Sequence, residues 1–235
     1  AGNNNTKSIF YSLDGADDKI DYYIGLNKFE TDGISAMNDN DEKDSYRNDG
    51  INANLGYKIS NNLKVENSLR YFDSFLNYDE VNNTRTDLNN STDNTEVHYS
   101  LRFINEKDKF KNTVIYNKSY IERNTTGYLA DTGTGNSGYE TYYGYRDAIN
   151  FLGEYNFNLD NRIVYGLDNE FDKAKFQKDW PTDYLTSDES IHSQYFDLQF
   201  RPLEKLYSTI GFRRDDHTTA GDYTTGRATL AYKLN

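Results

Sequence analysis

The 235 residues contain no cysteine, two prolines, one methionine and one tryptophan. Without cysteine there can be no disulfide framework, which suits a chain that crosses an oxidising periplasm without needing one. Nowhere do 18 apolar residues run together, so an α-helical membrane span is excluded. Basic residues are also scarce: 26 Lys and Arg face 38 Asp and Glu, for a net charge of −12. Phosphate binding needs a basic face, so nucleic acid is excluded as a partner. Residues 1–7, AGNNNTK, have no apolar stretch of the kind a signal peptide needs, so the numbering is expected to begin inside a mature protein.

What is present is aromatic. Twenty-two Tyr and 13 Phe are too many for a disordered segment, even though the mean hydropathy is −0.95. A transmembrane strand needs only about ten residues with every second one apolar, so low hydropathy does not argue against a membrane barrel.

Period-two alternation recurs eleven times. Its rows include Ile20, Tyr22, Ile24 and Leu26, then Ile51, Ala53, Leu55 and Tyr57, then Val97, Tyr99, Leu101 and Phe103, and last Ala228, Leu230, Tyr232 and Leu234. A weaker row runs through Phe110, Val114 and Tyr116. The intervening positions are polar: Lys64, Glu66, Ser68 and Arg70, for example, or Glu96, His98, Ser100 and Arg102.

Short connections (DGADDK, ISNN, NEKDK, NLDN, RPLEK) alternate with long ones of about 10 to 25 residues. Short turns at one end and long loops at the other are the pattern of outer-membrane barrels. A soluble sandwich has no reason to put every long loop at one end. The expected fold is all-β: a transmembrane antiparallel β-barrel of about eleven strands, with Ile24, Leu55, Leu101, Phe151 and Leu230 facing lipid. Tyr57, Tyr71, Phe103, Tyr155, Phe157 and Tyr232 fall at strand ends, at the level of lipid headgroups. Segments 30–49, 73–94, 121–145 and 172–191 fall between the rows and carry the acid excess.

The stretch GFRRDDHTTAGDYTTGRATLAYKLN, residues 211–235, resembles the mid-barrel signature of TonB-dependent outer-membrane receptors at Gly211, Arg213, Asp215, Asp216, Gly221, Gly226, Arg227 and Tyr232. DYYIGLNKFETDGISA, residues 21–36, is similar to an early barrel strand and first long loop of that family, and GLDNEF at 166–171 adds a third match. The resemblance implies a 22-stranded barrel filled by an N-terminal plug through which TonB drives uptake. Residues 1–235 would then be the N-terminal half of the barrel, with the plug and the remaining strands outside the sequence. It further implies the outer membrane of a Gram-negative bacterium, outer-membrane lipid as surroundings, and a large scarce nutrient as cargo. Cobalamin-like corrinoids and ferric siderophores are the two classes to weigh, with a passive porin as the alternative of another class.

In the cobalamin branch of that family, acidic loops hold calcium, and NDNDEKDSYRNDG (38–50) and FLNYDE (75–80) are similar to those loops. Calcium takes six to eight oxygen ligands; the candidates are Asp39, Asp41, Asp44, Asp49, Tyr78 and Asp79. The plainer reading is a solvated acidic loop. A carboxylate cluster would repel an anionic ferric siderophore unless calcium neutralised it, which favours a corrinoid. Tyr128, Tyr139, Tyr142, Tyr143 and Trp180, placed in long loops, would offer ring faces to a macrocycle.

No enzyme is read here, since no Ser-His-Asp arrangement has a supporting local motif. Asp215, Asp216 and His217 are consecutive on an extended segment and so alternate between faces, which prevents convergence. GTGNSG at 133–138 lacks the Lys, the preceding strand and the following helix of a phosphate loop.

Overall fold

The computed structural model of the protein describes residues 2–35, 43–81, 87–128, 137–178 and 183–234. These form eleven strands: β1 (Lys7–Ala16), β2 (Ile20–Thr31), β3 (Tyr46–Lys58), β4 (Leu63–Val81), β5 (Asp87–Lys107), β6 (Phe110–Tyr128), β7 (Ser137–Asn156), β8 (Arg162–Lys178), β9 (Asp183–Leu203), β10 (Leu206–His217) and β11 (Gly221–Tyr232). They lie in one sheet in sequence order. The first and last pairs, like all those between, are antiparallel. Every row of alternation found in the sequence is a strand.

Register carries the alternation across the sheet. Tyr22 pairs with Leu55, Leu55 with Asn67 and Asn67 with Leu101; Leu101 then pairs with Tyr116, and Tyr116 with Ile149. One face is thereby apolar over the part of each strand nearest the tight turns. No second layer covers it: Leu55 is 50% exposed, Phe212 51% and Leu230 75%, and Ala148 is the one buried apolar side chain among the described residues. The five side chains expected on one surface lie there.

The apolar belt stops at a line of charge. On the same face, Lys7 meets Glu30 at 3.1 Å, Lys28 meets Glu30 and Asp49 at 3.9 Å, and Arg47 meets Asp49 at 3.9 Å and Asp73 at 3.5 Å. Further along the sheet Lys118 meets Asp147 at 3.6 Å.

The long connections differ from expectation. Most of segments 73–94, 121–145 and 172–191 is strand, because β4 pairs with β5 out to Val81–Asp87, β6 with β7 out to Tyr128–Ser137, and β8 with β9 out to Lys178–Asp183. A bilayer is spanned by about 9–11 tilted residues, whereas β5 and β9 have 21 each. Beyond the belt both faces meet water, so the alternation that reveals a strand in the sequence disappears while the hydrogen-bonded ladder continues.

Candidate functional site

The polar face lines the opposite side of the same strands, and its charges are mostly matched within the wall. Arg102 reaches Glu66 at 3.3 Å, Arg162 Glu154 at 3.7 Å and Arg227 Asp197 at 2.9 Å. Arg146 forks onto Asp172 with two bonds of 2.7 Å and touches Glu170 at 3.1 Å. Arg213 joins Asp168 at 3.3 Å and Asp215 at 2.8 Å, and donates to Ser193 at 2.8 Å. These pairs follow from register: Glu66 stands opposite Arg102, and Arg146 opposite Asp172. Cross-strand opposite charges of this kind support the sheet.

Two arginines on this face have no such partner among the described residues. Arg70, on β4, lies over the Phe72 ring at 4.1 Å. Arg123, on β6, is exposed and stands opposite Asn94 on one side and Tyr142 on the other. The Asn94 side chain donates to Glu96 at 2.9 Å, while its buried Oδ1 has no partner. The Tyr142 and Phe176 rings pair at 4.6 Å between centroids.

Just below this pair, toward the tight turns, the wall is dented by a hollow of about 540 Å³. Its floor is made of Ile121, Gly144, Ala174 and Ser187, and His98, Arg146 and Glu189 stand at its edge. His98 is fixed by Ser119 Oγ at 3.0 Å from Nδ1 and by Glu96 at 3.5 Å from Nε2. Small side chains on three neighbouring strands make the floor. Arg123 and the Tyr142–Phe176 rings close above make a surface able to grip an anionic, ring-bearing molecule.

Of the calcium candidates whose side chains the structure describes, Asp49 and Tyr78 are on opposite faces of the sheet. Asp39 and Asp41 lie outside the described residues. Asp44 is half-buried, and its N–H reaches the Ile34 carbonyl at 3.4 Å. Asp49 belongs to the line of charge on the belt side, already faced by Lys28 and Arg47. Tyr78 is on the polar side of β4; Asp79 pairs with Asn89 in the ladder, and its side chain is outside the described residues. Among the described residues, no three acidic or imidazole groups come together as metal ligands would.

The aromatic candidates divide. Tyr139, Tyr142 and Tyr143 are in β7 and not in a loop, and Tyr128 ends β6. Only Tyr142 of the three in β7 shares the face of Arg123 and Phe176; Tyr143, opposite Glu122 and Lys175, is on the belt side, as is Tyr139. The Tyr128 side chain and Trp180 fall outside the described residues. Arg123 and Phe176 escaped the sequence reading because they lie where alternation has ended. Arg70 was visible as one of a polar row, but its lack of a partner was not.

No sequence family matches the chain, and no curated protein does. Solved structures match in fold. The chain is similar to the siderophore receptor PirA of Acinetobacter baumannii, with 13% identity and a TM-score of 0.70 over 98% of this chain and 38% of that one. It is similar to the ferric enterobactin receptor PfeA of Pseudomonas aeruginosa, with 14% identity and a TM-score of 0.71 over 98% and 39%. A third match is the RagAB peptide importer, at 9% identity and a TM-score of 0.69 over 95% and 33%. The chain thus spans about a third to two fifths of the solved chains it matches, and at these identities the likeness establishes the fold.

Proposed function

We propose that the chain forms part of the wall of a TonB-dependent outer-membrane receptor that imports a ferric siderophore. Likeness in fold to two siderophore receptors and a peptide importer supports the receptor reading, as do the receptor-like motifs at 21–36 and 211–235. In this reading the apolar face meets lipid, the polar face lines the lumen, and an N-terminal plug couples the barrel to TonB. No chemistry is performed on the cargo.

The choice of ligand rests on Arg70 and Arg123. Among the described residues neither makes a close ion pair, on a wall whose other arginines do, although Arg70 still feels the charge of Glu96. Beside Arg123 stand Asn94 and the Tyr142–Phe176 rings, while Arg70 lies opposite His98 in the row of Arg146. An anionic metal complex with aromatic arms would engage both the arginines and the rings. The corrinoid reading, with calcium as a structural ion, keeps the support of the acid-rich segment 38–50 and remains the second proposal.

Equilibrium binding of the full-length protein to a panel of ferric siderophores and to cyanocobalamin, with and without calcium, separates them. A siderophore is expected to bind saturably, and Arg70→Gln together with Arg123→Gln to weaken it about 10- to 100-fold, the worth of one or two charge-assisted contacts. Calcium-dependent cyanocobalamin binding, lowered by Asp41→Asn or Asp79→Asn, would select the corrinoid. No saturable binding of either would favour a passive porin.

A further inference from the structure

We propose that the upper edge of β9 is a docking site for an extended, basic segment of a protein arriving from outside the cell, which adds to the sheet as a further strand. This rests on the outer-membrane reading of the chain, in which the long hairpins face outward. β8 and β9 pair out to Lys178–Asp183, whereas β10 leaves β9 at His217–Ile191 and turns back through residues 218–220 into β11. Thr218 supplies the last rung: its N–H donates to the Ser190 carbonyl at 3.1 Å, and its Oγ1 accepts from the Ser190 N–H at 3.0 Å. Above it Asp183–Glu189, about 23 Å of strand, have β8 on one side and, among the described residues, no strand on the other.

Alternation fixes which groups are bare. In an antiparallel ladder the N–H and C=O of one residue point to the same neighbour, and those of the next residue to the other. Ser190 points to β10, so Tyr184, Thr186 and Asp188 point the same way. Their N–H and C=O groups have no backbone partner among the described residues. Strand edges in water are ordinarily blunted by Pro, Lys or a bulge. Residues 183–190, DYLTSDES, contain no Pro, Lys or Gly, and their register on β8 runs without a shift. Tyr184 on the outer side is 58% exposed and Leu185 on the inner side 66%, so an added strand meets an apolar side chain on each face.

Charge selects the partner. Segment 183–190 holds three acids, and 215–222 at the tip of the lower hairpin holds another three, with no Lys or Arg in either. Lys173, which meets Asp188 at 3.5 Å, is on β8, across β9 from the gap. Arg213 and Arg214, lower on β10, meet Asp215 and Asp222. Glu189 faces His217 at 3.5 Å and accepts from the Thr219 hydroxyl. A basic strand fits this edge. A second copy of the chain does not, because two barrels in one membrane would bring the same acids together on strands that point the same way.

The probe is a heptapeptide of two arginines followed by alternating valine and threonine, so that the arginines lie opposite Glu189 and Asp188 when it runs antiparallel to β9. It is carried at the free end of a folded protein too large to enter the barrel, and its binding to the purified full-length protein is measured by interferometry. Saturable binding is expected. Proline at position 186 removes one bare N–H and leaves the ladder to β8 intact, so Thr186→Pro should weaken binding about tenfold, while Thr186→Val, which keeps the N–H, should not. The double variant Asp188→Asn/Glu189→Gln should weaken binding and flatten its dependence on salt. Heat-modifiable gel migration of each preparation reports whether the barrel has formed. A folded barrel that ignores the probe, or that binds it equally after Thr186→Pro, overturns this proposal. So does binding of the heptapeptide only when it is free of its carrier, which would make it cargo. Ferric siderophore binding, expected to be the same in both Thr186 variants, judges the receptor reading separately. A protein that never enters a membrane overturns both.

Discussion

Asp17 closes the first hairpin with its own side chain: Oδ1 accepts the backbone N–H groups of Lys19 and Ile20, each at 2.7 Å. Those two donors, aided by the charges of Lys19 and Lys58, hold its carboxyl below the ordinary carboxylate range. Because the folded value is depressed, the contribution to stability is present above the unfolded value near 4 and disappears as pH falls through the folded one. Asp17→Asn keeps the acceptor oxygen but cannot titrate. The stability difference between the parent and this variant is therefore expected to be constant at neutral pH and to vanish in acid, which unfolding measured from pH 7 to pH 2 would check. A difference that stays constant down to pH 2 would mean that the two backbone bonds do not depend on charge. This residue was readable in advance, since DGADDK has the composition of a tight turn. Arg123 was not readable, because an arginine without a partner looks the same in a sequence as one that has a carboxylate waiting across the strand.

A strand shows the same limit along its own length. In β5 the stretch Val97–Phe103 alternates cleanly, but Asn89–Thr95 is polar on both faces, and period-two reasoning sees only a loop there. The ladder nonetheless continues, from Val81↔Asp87 to Leu63↔Asn105 on one side of β5. Thr92 and Thr125 even meet across the next pair at 3.2 Å between hydroxyl oxygens. What specifies the strand in that region is its neighbour, and neighbours are not visible in one segment. The number and order of strands were therefore legible, and their true lengths were not. Two glycines turn this into a prediction about the sheet. A Cβ added at Gly166 in β8 would press into the Tyr195 ring and lie 2.6 Å from the Phe151 carbonyl oxygen, and backbone cannot yield without breaking the ladder. At Gly144 in β7 the nearest atom would be Ile121 Cβ at 3.9 Å, an ordinary contact. Gly166→Ala should therefore cost about 1–3 kcal/mol and Gly144→Ala no more than about 0.5 kcal/mol, read from denaturant unfolding of the folded protein in detergent. Equal losses would show that the Tyr195 ring does not rest on the bare backbone.

For the whole molecule the governing fact is a single layer, apolar on one side and polar on the other, with nothing laid over the apolar side. In the middle strands the belt is four apolar positions tall, or eight residues, about 26 Å of strand and about 20 Å of height once tilted. That is close to the hydrocarbon a barrel must cross. Leu55 sits in its middle, so Leu55→Arg is expected to destabilise the protein in a bilayer by about 2–4 kcal/mol, while Asn54→Arg, one residue away on the polar face, should cost little. Equal effects in reversible folding from lipid vesicles would argue that the apolar face does not meet lipid. The outer strands carry a second consequence. In this sheet β1 pairs only with β2 and β11 only with β10, so each presents a row of N–H and C=O groups with no partner. Every such group left bare in hydrocarbon costs several kcal/mol, and a row of them would outweigh what the belt gains by leaving water. Residues 1–235 expressed by themselves are therefore expected to aggregate or to stay unfolded in detergent, with no change in gel migration on heating. A heat-sensitive, compact species would mean that β1 and β11 find partners in each other or in a second copy, and that eleven strands are enough to close.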